Sequence, residues 1–252
     1  AAIKPNTKAI FLETPTNPTM EISDLRAISK IAKENNFLVI VDNTFLTPYF
    51  QKPLALGADI VIHSGTKYLA GHNDVLAGFT VVKEQTLADN LHLIYKTTGA
   101  CLGALDAWLV IRGIKTLPLR MEQHQKNATA IAAWLQKQPR VKYVLYPGLA
   151  EHPGYAVNKA QTSGFGGMIS FAVDNAETAR QLLEGVKLIQ FAESLGGTES
   201  LITYPIRQTH TDLTPEECAE KGITDCLLRL STGIEATEDL IADLAQAFTD
   251  IQ

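Results

Sequence analysis

The chain has 252 residues, 46% hydrophobic and 19% charged, enough apolar material for one large domain or two modest ones. Its 22 basic and 27 acidic residues give a net charge of −5 with no basic run, which argues against nucleic acid or an anionic membrane as partner. Cys101, Cys218 and Cys226 lack metal-ligand spacing, and neither a membrane-length apolar run nor a signal-peptide pattern is read, so a cytoplasmic setting is expected.

Residues 9–12 read as a buried strand feeding a loop that contains Pro15, Asn17 and Pro18. The prolines restrict the backbone and should hold Asn17 in one orientation. Ser23 is the expected N-cap of a helix with Leu25, Ile28, Ile31 and Ala32 at helical spacing. A second apolar strand, 37–41, ends in Asp42, and a third, 59–62, delivers Ser64, Gly65, Thr66 and Lys67; residues 78–83 read as a further strand. This alternation predicts an α/β domain with a largely parallel sheet, whose ligands bind at the carboxyl ends of the strands. Asn17, Asp42 and residues 64–67 all fall at those ends.

Residues 102–138 read as mostly helical, with Pro118 marking a break or kink. They carry the chain from a large domain, 1–118, into a smaller one, 119–252. Strands are expected at 141–145, 168–173 and 227–230, with a Gly/Pro loop over 146–167 and a helix over 176–184. The last helix should start at Thr237, with Glu238 and Asp239 in its first turn and Leu240, Ile241, Leu244, Ala247 and Phe248 as its buried stripe.

The chemistry gathers at Lys67. An amine fed out of a buried strand can form a Schiff base with a carbonyl cofactor, and nearby hydroxyls with backbone N–H groups can hold a phosphate. Asp42 is the acidic partner that a pyridinium nitrogen requires. Ser64 and Lys67 also match the S-x-x-K of serine acyl-enzymes, but that serine opens a helix and is accompanied by S-D-N and K-T-G, which this chain lacks. Arg229 lies in an apolar strand and needs an anion, either an internal carboxylate or a ligand. His63, His72, His124, His152 and His210 form no metal-ligand pattern and read as structural or surface residues. Residues 164–167, Gly-Phe-Gly-Gly, do not fit a nucleotide fingerprint. No metal is expected.

The run from Val41 to His72 (V-D-N-T-F-L-T-P-Y-F-Q-K-P-L-A-L-G-A-D-I-V-I-H-S-G-T-K-Y-L-A-G-H) resembles the signature of the Cys/Met-metabolism PLP enzymes. Upstream E-T-P-T-N-P and downstream A-E-S-L-G-G-T-E-S-L and L-R-L-S-T-G-I-E extend the resemblance over essentially the whole chain. That family includes cystathionine β- and γ-lyases, cystathionine γ-synthase, methionine γ-lyase and O-acylhomoserine sulfhydrylases. The resemblance implies the aspartate-aminotransferase type of fold (fold type I) and pyridoxal 5′-phosphate, PLP, anchored on Lys67. It further implies Ser64 and Thr66 at the cofactor phosphate, Asp42 at the ring nitrogen, and Asn17 near the cofactor hydroxyl and substrate carboxylate. Arg229 would grip that carboxylate with help from Ser194; Thr209 would line the same pocket, and Glu193 would handle the substrate near Cγ.

A cystathionine lyase is therefore the expected activity, with γ-replacement by a synthase or sulfhydrylase as its alternative. Family members form homotetramers built from catalytic dimers, so a homo-oligomer is expected. They also carry a segment ahead of residue 1, which leaves a different reading open: a folded assembly module without catalysis.

Overall fold

The computed structural model describes residues 2–209 and 211–251. His210 lies outside the described residues. A first sheet of four strands has the order β1 (Ala9–Glu13), β2 (Leu38–Asp42), β3 (Ile60–Ser64) and β4 (Gly78–Val82). The first three run parallel, and their apolar side chains, Val39, Val41 and Val61, are buried under α1 (Leu25–Glu34). Such strands are covered on their faces and read as near-continuous aliphatic runs. The β1–β2 register places Glu13 opposite Asp42, so two carboxylates finish side by side at the carboxyl edge. Asp24, not Ser23, caps α1 by accepting the Ala27 N–H at 3.0 Å; the Ser23 N–H is taken by Thr14 Oγ1 at 3.0 Å.

A short helix, α2 (Thr47–Phe50), follows the Asp42 loop. β4 runs antiparallel to β3 with Ser64 opposite Gly78, so the Lys67 segment is the connection of a strand pair. Two helices follow, α3 (Gln85–Thr98) and α4 (Ala104–Ile114), and with β4 they border a groove of about 1180 Å³. Leu76, Leu93, Ile94, Trp108 and Ile111 are exposed on this side of the molecule. The break expected near Pro118 falls at residues 115–116. Pro118 itself lies in the first turn of α5 (Leu117–Leu135), where no backbone N–H is needed.

A second sheet is built from β5 (Val141–Leu145), β6 (Met168–Val173), β7 (Gln190–Phe191), β8 (Leu201–Thr203) and β9 (Leu227–Ser231) in the order β5-β6-β9-β8-β7. Between these strands lie α6 (Tyr155–Gln161), α7 (Ala176–Gly185) and α8 (Pro215–Glu220), and α9 (Thr237–Thr249) ends the fold. Ile131 and Leu135 of α5, Leu182 of α7 and Leu240 and Leu244 of α9 close one core with Ile169, Phe171, Leu228 and Leu230 of the sheet. α5 also reaches the first sheet's side, where Met121 packs with Tyr68 and Leu69. No described helix is long and apolar enough to cross a membrane.

Asp243 of α9 accepts three consecutive backbone N–H groups, from Lys187, Leu188 and Ile189, at 2.8, 3.0 and 2.9 Å. This fixes the start of the segment that leads through β7 to Ser194. Removing the carboxylate strands the buried Ile189 N–H, at a cost of about 1–3 kcal/mol, and leaves the part-buried Lys187 and Leu188 N–H groups to water at a smaller cost. Asp243→Ala is therefore expected to lower the unfolding free energy by about 3 kcal/mol, read as a lower urea midpoint at unchanged slope.

Candidate active site

The carboxyl ends of β1, β2 and β3 meet the loop before β8 and the central strand β9. After Ser64 the chain forms a tight turn, Gly65–Leu69, closed by the Ala70 N–H on Gly65 O at 2.9 Å. Lys67 leaves helical geometry there (φ −88, ψ −130) and its Nζ donates to Ser194 Oγ at 2.9 Å. Ser194 sits at φ 79, a left-handed conformation that costs a non-glycine residue about 1–2 kcal/mol. Burial, and then the positive charge of Arg229, holds the Lys67 amine below the usual lysine range, while Glu193 opposes the shift.

Arg229 is 2% exposed and is held on three sides. Its guanidinium donates to Asn17 Oδ1 at 2.8 Å, to the Ser194 carbonyl at 2.9 Å and to Thr203 Oγ1 at 3.1 Å. Its Nε is buried without a partner, and no described carboxylate forms an ion pair with it. Burial pushes the guanidinium down to about 10, so it stays a cation at neutral pH. The internal salt bridge that the sequence left open does not form among the described residues. A desolvated cation of this kind is costly unless a carboxylate or other anion meets it.

Asn17 is itself positioned by Glu13, whose carboxylate accepts the Asn17 N–H at 3.0 Å. Burial raises the Glu13 pKa; the Asn17 N–H and Arg229 pull it down, while Asp42 adds to the rise. Asp42 accepts the Thr44 N–H at 2.9 Å, and Thr44 Oγ1 accepts the Ser64 N–H at 2.8 Å, tying the ends of β2 and β3 together. The Thr66 hydroxyl accepts the Ala77 N–H at 3.0 Å and reaches the Ala77 carbonyl at 3.3 Å, closing the Lys67 loop. His63 is buried, its Nδ1 has no partner, and burial lowers its pKa.

Thr66, Asn73, Glu193 and Ser194 are among the residues lining a cavity of about 540 Å³, a size suited to a small-molecule site. Glu193 is exposed at its wall. Thr209 is exposed in the turn after the short helix Pro205–Arg207. Lys67, Ser194, Arg229 and Asn17 are thus joined by direct hydrogen bonds, with Asp42, Ser64 and Thr66 on the adjoining strand ends. Sequence reasoning gave no role to Glu13, Thr44 or Thr203. Glu13 and Thr44 were within reach, because each borders a strand end already identified; Thr203 contacts Arg229 only through the register of β8 on β9.

The profile of the Cys/Met metabolism PLP-dependent enzyme family matches residues 1–249. The chain belongs to that family. It is 52% identical over 250 residues to a cystathionine gamma-lyase of Bacillus subtilis, covering 99% of this chain and 66% of the relative. It is 54% identical over 252 residues to a cystathionine gamma-synthase of Haemophilus influenzae, covering 100% of this chain and 64% of the relative. The crystal structure of a cystathionine gamma-lyase from Lactobacillus plantarum complexed with L-serine superposes with a TM-score of 0.97 at 45% identity, over 100% of this chain and 66% of that one. The chain therefore spans about two thirds of the length of the curated relatives it matches. The fold is that of the family's PLP enzymes, as the strand pattern and the resemblance implied.

The residues present fit the family's cofactor. Lys67 offers an amine of lowered basicity, Ser64 and Thr66 bring hydroxyls to the same strand end and turn, and Asp42 is the carboxylate at the next strand end. Arg229 keeps a buried Nε without a partner and pairs with no described carboxylate, so a negatively charged group is compatible with this end of the site.

Proposed function

We propose that this chain forms the catalytic part of a PLP-dependent carbon–sulfur lyase acting on cystathionine or a related sulfur amino acid. On this reading residues 1–118 are the cofactor-binding part and 119–252 the small domain. The observation that carries it is the Lys67–Ser194 contact of 2.9 Å beside an Arg229 guanidinium that pairs with no described carboxylate. Lys67 would anchor the cofactor, Asp42 would serve its ring nitrogen, Ser64 and Thr66 would hold its phosphate, and Asn17 would serve its hydroxyl. When bound, the cofactor supplies an electron sink for a carbanion at the substrate α-carbon.

The chain's own groups do the rest. Arg229, backed by Asn17, Thr203 and Ser194, clamps the α-carboxylate and so fixes the direction of the α-C–H bond. The Lys67 amine, whose protonated form burial and then Arg229 disfavour, takes the α-proton. Ser194 Oγ orients that amine and Glu193 stands at the wall of the cavity toward the far end of the substrate, while Thr209, which is not among the residues lining that cavity, is assigned to the substrate pocket on the resemblance alone. The products of elimination are a thiol amino acid, a 2-oxo acid and ammonia.

The 54% identity to a cystathionine gamma-synthase supports a second reading, γ-replacement on an O-acylhomoserine. One pair of assays on the full-length protein separates them. Cystathionine alone is expected to release 2-oxo acid; thioether formation from O-acylhomoserine plus cysteine, without 2-oxo acid from cystathionine, would select the synthase. We place the protein in the cytoplasm, which its three free cysteines support, and read it as a homo-oligomer, a dimer of dimers, which the exposed apolar residues near β4, α3 and α4 support.

A further inference from the structure

Behind the Lys67 turn lies a second buried arginine that the proposed chemistry does not use. Arg120 of α5 is 4% exposed, and no described residue forms an ion pair with it. Instead its fork donates to the backbone carbonyls of Tyr68 at 2.7 Å, Leu69 at 3.5 Å and Gly113 at 2.8 Å, and its Nε to Thr116 Oγ1 at 3.1 Å. Two of these acceptors are the residues directly after Lys67. They belong to a helical turn that stops within a few residues, because Gly71 takes φ +73, and helix ends leave carbonyls unpaired. A cation at such an end is favourable, and a planar fork reaches several carbonyls at once.

Space for this contact is built in. A Cβ on Gly71 would lie 2.1 Å from an Arg120 nitrogen, and one on Gly113 would lie 2.1 Å from the Ala70 carbonyl oxygen. The Lys67 turn is thus packed directly against α4 at Gly113 and against the Arg120 side chain of α5 at Gly71. We infer that Arg120 is a positioning residue for Lys67: its guanidinium clamps the backbone that follows the lysine and thereby holds the amine against Ser194. A merely stabilising buried arginine would not need acceptors at the two positions following the reactive side chain.

This inference rests on the reading of Lys67 as the cofactor anchor. Its test is competitive labelling of Lys67 with a trace acylating reagent across pH, on the full-length protein with cofactor removed. The groups that set this titration from facing elements are Arg229 on β9 and Glu193 on the loop before β8, both left untouched. Arg120→Lys keeps the charge but loses the fork, and Arg120→Met loses both. Both are expected to move the Lys67 midpoint by about half a pH unit or more toward the ordinary lysine value, because the amine gains solvent. In the loaded enzyme kcat should fall about 10–100-fold with little change in KM, the pattern of a misplaced group.

If only the charge mattered, Arg120→Lys would behave as the parent protein, and the inference would be overturned. A lower melting temperature with an unmoved Lys67 midpoint would overturn it equally. Failure of the underlying reading looks different: reductive trapping would then place the cofactor on another residue in the parent protein.

Discussion

Borohydride reduction of the PLP-loaded protein, followed by peptide mapping, is expected to leave the label on Lys67 alone. In Lys67→Ala the label should be absent, and turnover should fall by about 10³–10⁴-fold or more, the size of a lost general base together with a lost covalent anchor. The case rests on environment. An exposed lysine is protonated at neutral pH and is a poor nucleophile. Here burial, and then the neighbouring Arg229 cation, both disfavour the charged amine. Lys67→Arg separates charge from reactivity: it keeps a cation near Ser194 but has no amine that can bond a carbonyl, so it should be unlabelled and equally inactive. Label on another residue, or full activity in either variant, would remove the foundation of the proposed function.

How much of this was legible in the sequence follows from what each feature depends on. The strands of the first sheet were readable because Phe37–Val41 and Ile60–Ile62 are short aliphatic runs with turn-forming residues after them, and local composition decides such elements. Lys67, Asp42 and Asn17 were readable because strand ends in a parallel sheet share one edge. The Ser23 expectation failed in detail for a tertiary reason: Thr14, nine residues earlier, takes the Ser23 N–H, and Asp24 is left to cap α1. Arg120 could not be assigned from sequence at all. Two of its acceptors lie 51 and 52 residues away on a turn whose backbone departs from helical geometry, and no periodicity encodes that meeting. Ser194 is an intermediate case. Resemblance gave it a role at the substrate carboxylate, but its left-handed backbone and its contact with the Lys67 amine are geometric facts only.

Arg229→Ala is expected to reduce kcat/KM by about 10²–10³-fold, mostly through KM, because two charge-assisted hydrogen bonds to a substrate carboxylate are worth about 1.5–3 kcal/mol each and part of this is recovered by water. The substitution also leaves Asn17 Oδ1, the Ser194 carbonyl and Thr203 Oγ1 without their donor. A loss of stability should therefore accompany the loss of binding, and urea unfolding measured beside the kinetics separates the two. Arg229→Lys is the sharper probe. It preserves the charge, yet one ammonium cannot meet Asn17, Thr203 and a carboxylate in one plane, so it should recover only a small part of the lost kcat/KM. The pH dependence follows from the same burial. The guanidinium is pushed down to about 10, so it is charged through the neutral range, and carboxylate binding should weaken only as pH rises through that value. The discriminating ligand is a substrate analogue lacking the α-carboxylate. If Arg229 serves the carboxylate, the parent and Arg229→Ala proteins should bind that analogue almost equally; if the arginine is only a core residue, the variant should lose affinity for both ligands in the same proportion.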